Sequence, residues 1–139
     1  MANWHVVLAY DERATKWLAE QGYQHPPARP GNRLPTENEI EEAVRALGIG
    51  SDVYVDGVGV GDSFTVRGDL VAELRLVRRL SEQAGQLWVY PDCGSPAIVV
   101  DPDTDPNSVA AAWLRSLDSP DPWATFLGSG PDAESPSRS

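Results

Sequence analysis

Asp52-Val53-Tyr54-Val55-Asp56-Gly57-Val58-Gly59-Val60-Gly61-Asp62-Ser63-Phe64-Thr65-Val66 alternates apolar and polar residues, breaks on three glycines and resumes alternation at Phe64. Alternation places every second side chain on one face, the pattern of a half-buried strand. A glycine-rich break between two such runs marks a hairpin. Two strands in direct succession are foreign to doubly wound proteins, in which strands and helices alternate singly. This stretch therefore points to an α+β fold.

Outward toward the C-terminus, Leu70, Leu74, Val77, Leu80 and Ala84 form a helical stripe, with Asp69 as N-cap and Gly85 as stop. Arg75, Arg78, Arg79 and Glu82 take the opposite, solvated face. A second strand pair follows at Leu87 to Tyr90 and Ala97 to Val100, separated by the turn formers of residues 91–96. Asp105-Pro106 opens a last helix carrying Val109, Ala112, Trp113, Ser116 and Leu117 on one side.

Toward the N-terminus, Thr36-Glu37-Asn38-Glu39 is a capping box ahead of Ile40, Ala43, Val44 and Leu47, and Gly48 ends that helix. Asp11 caps an earlier helix over Glu12 to Gln21, with Ala14, Trp17 and Leu18 on one face and Gly22 as stop. The nearly continuous apolar run Trp4 to Tyr10 reads as a central strand covered on both faces, with Val6 and Leu8 in the core. The expected order is β-α-α-β-β-α-β-β-α: a single five-stranded mixed or antiparallel sheet packed by about four helices. Residues 1–117 form the domain. Residues 118–139 read as a disordered Pro/Ser/Asp-rich tail, with a short docking segment at 121–127 built on Trp123, Phe126 and Leu127.

Eleven Lys plus Arg against twenty-one Asp plus Glu leave a net charge of −10. Such a field repels nucleic-acid phosphates and anionic membrane surfaces, so neither is expected as a partner. No apolar stretch approaches the ~18 residues of a membrane span. The N-terminus lacks the basic and long apolar regions of a signal peptide, and the expected location is cytoplasmic. The single cysteine, Cys93, excludes an internal disulfide. Ten arginines against one lysine suggest a GC-rich, bacterial coding genome.

Several motifs resemble catalytic or binding signatures without completing them. Gly57-x-Gly59-x-Gly61 lacks both the spacing of a dinucleotide loop and the Lys-Ser or Lys-Thr ending of a Walker loop, and Asp62 repels phosphate. Asp101-x-Asp103-x-Asp105-x-Asn107 resembles a calcium loop, but Pro106 stands where Gly is needed and Ala112 where the bidentate Glu is needed. Cys93 beside Asp92 has no base near it in sequence, and a neighbouring acid disfavours the thiolate. No catalytic residue, metal site or cofactor is assigned, and an enzyme is the less favoured reading.

Two sets of residues remain. The acids Glu37, Glu41, Glu42, Asp52 and Asp56 suit a basic protein partner, as in immunity or antitoxin proteins that neutralise cationic toxins. The alternative is the loop Tyr23 to Pro35, stiffened by four prolines and free of acids, in which Tyr23, His25, Arg29 and Arg33 would bind a small ligand or anion. Its arginines would otherwise pair with the Glu-rich helix that follows. Oligomeric state and strand order are not legible in the sequence.

Overall fold

In the computed structural model, residues 5–59, 61–90 and 96–122 are described, together with Phe126. The elements are β1 (His5–Ala9), α1 (Glu12–Glu20), α2 (Glu37–Leu47), β2 (Val53–Asp56), β3 (Ser63–Gly68), α3 (Leu70–Ala84), β4 (Leu87–Tyr90), β5 (Ile98–Val100) and α4 (Pro106–Ser116). The five strands form one sheet in the order β2-β3-β1-β4-β5, with every neighbouring pair antiparallel. The expected α+β class and element order are therefore present, and the sheet is antiparallel rather than mixed. No helix among the described residues is long and apolar enough to cross a membrane.

Local chemistry accounts for the helix ends. Thr36 and Glu39 complete both hydrogen bonds of the capping box, and Gly48 closes α2 in the left-handed conformation at φ 66°. Asp11, Asp69 and Asp105 cap α1, α3 and α4 through their carboxylates. The repeated glycines of the hairpin, Gly57, Gly59 and Gly61, all have positive φ and join β2 to β3. They make a turn, and Asp62 beyond them is held by the Arg13 guanidinium at 2.6 Å.

The sheet divides two cores. On one face α3 lies against β3, β4 and β5, with α2 and α4 beside it. Val7, Phe64, Val66, Leu74, Val77, Leu87, Val89, Ile98 and Trp113 are buried there, and Phe126 joins them. The other face holds a smaller core of Tyr10, Ala14, Leu18, Trp88, Ala97 and Val99, flanked by Trp17, Tyr23 and Tyr90. Within β1 the buried residue is Val7, while Val6 and Leu8 are only half-buried. This corrects the expected parity. Val7 stands opposite Phe64 on β3 and Val89 on β4, both facing the three-helix layer, and a strand's side-chain period carries Val6 and Leu8 to the thinner side. A continuous apolar run contains no alternation from which that choice could be read. Trp4, Cys93, Trp123, Leu127 and the tail 128–139 lie outside the described residues.

The proline-rich loop Tyr23 to Pro35 is fastened to the sheet along its length. The Tyr10 hydroxyl donates to the Pro26 carbonyl at 2.5 Å. The Arg29 N–H donates to Gln86 Oε1 at 2.8 Å. Asn32 Nδ2 donates to the Tyr10 carbonyl at 2.7 Å and to Gln86 Oε1 at 3.0 Å, while Gln86 returns its own N–H to Asn32 Oδ1 at 2.8 Å. The Arg33 N–H then donates to the Ala84 carbonyl at 2.9 Å. Gln86 is buried, so these bonds satisfy groups that water does not reach. Gly85 makes the approach possible: at φ 89° it has no Cβ, and one built there would strike Asn32 Oδ1.

Asn32→Ala strips a partner from the Tyr10 carbonyl and two from Gln86. A buried polar group left unsatisfied costs about 1–3 kcal/mol. Urea unfolding should show a loss of that size with an unchanged m-value, and a change below about 0.5 kcal/mol would remove the network from any stabilising role.

Candidate functional site

An open groove of about 690 Å³ runs between α2 and the edge strand β2. From α2 it takes Glu37, Ile40, Glu41, Val44 and Arg45, which are the positions i, i+3, i+4, i+7 and i+8 that share one side of a helix. From β2 and the turn after it come Val53 to Val58 without a break. The apolar members, Ile40, Val44, Val53, Val55 and Val58, belong to the main core or pack against it, so the groove floor is continuous with the protein interior. Three carboxylates, those of Glu37, Glu41 and Asp56, face one guanidinium, that of Arg45, among the lining residues.

Of the five acids singled out in the sequence, Glu37, Glu41 and Asp56 are thus brought together across two elements separated in the chain. Glu42 and Asp52 are exposed and adjoin lining residues in sequence, but do not line the groove. What could not be read from sequence is the apolar floor beneath the acids. It arises because α2 stands beside a strand that, among the described residues, has no outer neighbour in the sheet.

The four loop residues point to four different parts of the chain. Tyr23 packs against Trp17, with ring centroids 6.4 Å apart, and His25 Nδ1 lies 3.3 Å from the Pro26 carbonyl. Arg29 is 3.5 Å from Asp101. Arg33 forks onto Glu39, with both nitrogen–oxygen distances 2.8 Å. The arginines are therefore directed at carboxylates of their own chain, and Arg33 reaches the Glu-rich helix.

Glu39 is the hinge of this arrangement. The Arg33 guanidinium and, after it, the Thr36 N–H hold its carboxyl down to about 2 from the ordinary 4.5. Loop, capping box and the first turn of α2 are thereby joined through one side chain.

The structure also contains a buried ionisable group that the sequence reading passed over. Glu73 is fully buried on α3, and its Oε1 lies 2.6 Å from His5 Nδ1 on β1. Its Oε2 has no hydrogen-bond partner among the described residues. The signal was present, because Glu73 lies four residues before Val77 and therefore on the apolar stripe. Neither His5 nor Glu73 lines the groove. The pair ties the first turn of α3 to the central strand.

Asp101 and Asp105 bind backbone N–H groups. Asp101 Oδ1 accepts from the Asp103 N–H at 2.9 Å, and Asp105 caps α4. Among the described residues, no group of three or more His, Cys, Asp or Glu is arranged to hold a metal ion. Comparison with protein-family models, curated proteins and solved structures finds no match for this chain.

The depressed Glu39 fixes a sign for the response to acid. A carboxyl whose folded value lies below its unfolded value contributes stability above about pH 4.5, and that contribution is lost as the pH falls through about 2. Thermal melts of wild type and Glu39→Gln should differ most at neutral pH and converge from pH 4.5 to 2. A difference that stays constant across that range would contradict the role given to the Arg33–Glu39 pair.

Proposed function

We propose that the chain is a non-enzymatic interaction module of the immunity or antitoxin kind, which takes a basic protein partner at the α2–β2 groove. The observation that carries this reading is the combination of an apolar floor with a carboxylate-rich rim. Apolar floor supplies affinity by removing partner side chains from water. Glu37, Glu41 and Asp56 select for cationic groups and, in a chain of net charge −10, speed their approach. Glu42 and Asp52 extend the same sign beyond the groove.

Small-ligand or anion binding by the Tyr23 to Pro35 loop has less support. Its guanidiniums already face Asp101 and Glu39, and an incoming anion would have to displace a forked, doubly hydrogen-bonded carboxylate at Arg33.

The test compares wild type with a Glu37→Lys/Glu41→Lys/Glu42→Lys variant. Each is immobilised as the full chain, exposed to native lysate at low salt and eluted with a salt step. Wild type should retain a basic protein in stoichiometric amount and release it as salt screens the charges, with at least about tenfold weaker capture by the variant. Partner capture unaffected by both salt and charge reversal would overturn the proposal.

A further inference from the structure

We infer that the groove is a strand-addition site, in which an extended, basic segment of the partner pairs with the outer edge of β2 as a sixth strand of the sheet. The inference rests on the proposed reading that the groove takes a basic protein, and it adds how that protein is held. β2 ends the sheet, and among the described residues no strand pairs with its outer side. An antiparallel strand turns the N–H and carbonyl of alternate residues to opposite edges. The Val53 N–H donates to the Ile49 carbonyl at 3.1 Å, in the turn that leaves α2. That bond directs Val53 away from β3, so Tyr54 and Asp56 face Arg67 and Thr65 across the ladder, and Val55 turns its N–H and carbonyl outward. Val55 lines the groove.

Exposed strand edges are ordinarily blunted by shortness, charge, proline or a bulge, because an open edge recruits other chains. The four-residue strand Val53-Tyr54-Val55-Asp56 is short and carries one charge, a carboxylate that repels anionic chains and admits basic ones, but it has no proline and pairs with β3 in unbroken register. Beside it stands the wall of α2. Glu37 and Glu41 are one helical turn apart, about 6 Å along the axis, close to the ~7 Å between alternate side chains of an extended chain. The row of an added strand that faces α2 can then place cations on these acids above the apolar floor of Ile40 and Val44, while the other row, on the opposite face of the sheet, sets apolar side chains beside the exposed Tyr54. A second copy of this chain is the wrong occupant, since pairing the two β2 edges would bring two carboxylate-rich grooves together.

The test is an NMR titration of the full-length, isotope-labelled protein with a blocked octapeptide of alternating lysine and valine. Two further peptides carry N-methyl groups on every lysine or on every valine, and a fourth replaces lysine by glutamate. The lysine–valine peptide should shift the amides of β2 and α2 and slow exchange of the Val55 amide at least tenfold. The glutamate peptide should shift none of them. Only one methylated peptide should lose affinity, at least tenfold, because only one row of N–H groups faces β2. If both methylated peptides bind as the parent does, or lose affinity equally, and Val55 exchange is unaltered, strand addition is overturned while the acidic-groove reading stands. If the lysine–valine peptide shifts no groove amide, both are overturned.

Discussion

The exchange of hydrogen bonds between Asn32 and Gln86 is the constraint on which the placement of α2 depends. Gln86 is buried immediately before β4, and Asn32 arrives from a loop remote in sequence. Once the two are joined, Arg33 is set beside Ala84, and its guanidinium is held where it forks onto Glu39. Glu39 also accepts from the N–H of the helix-capping Thr36. Sheet, loop and helix start are consequently linked by polar contacts, each specific in direction, and the apolar face of α2 supplies non-directional adhesion. A helix held only by its apolar face could rotate or slide against the sheet. Tied at its first turn, it presents Glu37, Ile40, Glu41 and Val44 to the groove.

The two ends of the sheet differ in a way that bears on function. All three residues of β5 are buried. At the opposite end, β2 exposes Tyr54 by 63% and leaves Asp56 in solvent, with Arg67 stacked over the Tyr54 ring. The open end is also where the carboxylates gather. In the proposed reading, charge repels the wrong partners, the negative ones, while backbone and apolar floor hold the right one.

Much of the fold was legible because local signals agreed with one another. The capping box at Thr36, the glycine turn of residues 57–61 and the Asp-Pro start of α4 each set a boundary where the structure has one. The parity of β1 was not legible, because Val6-Val7-Leu8 is apolar throughout and only the register with Phe64 and Val89 decides which side chain enters the larger core. Individual acids of the groove were visible as charges on a helix and a strand. Their meeting was not, since it depends on β2 being an edge strand, and strand order leaves no mark on hydrophobic period. The proline-rich loop stood out for its stiffness and its arginines, which the structure uses internally, on Asp101 and Glu39.

Native-state hydrogen exchange on full-length Asn32→Ala tests this order of dependence most directly, because it reads each element separately. If the Asn32–Gln86 exchange fixes α2, protection of the amides from Ile40 to Leu47 should fall well ahead of that in β1 and β3. Protection that falls equally in all elements, or that leaves α2 untouched while β4 loosens, would contradict it.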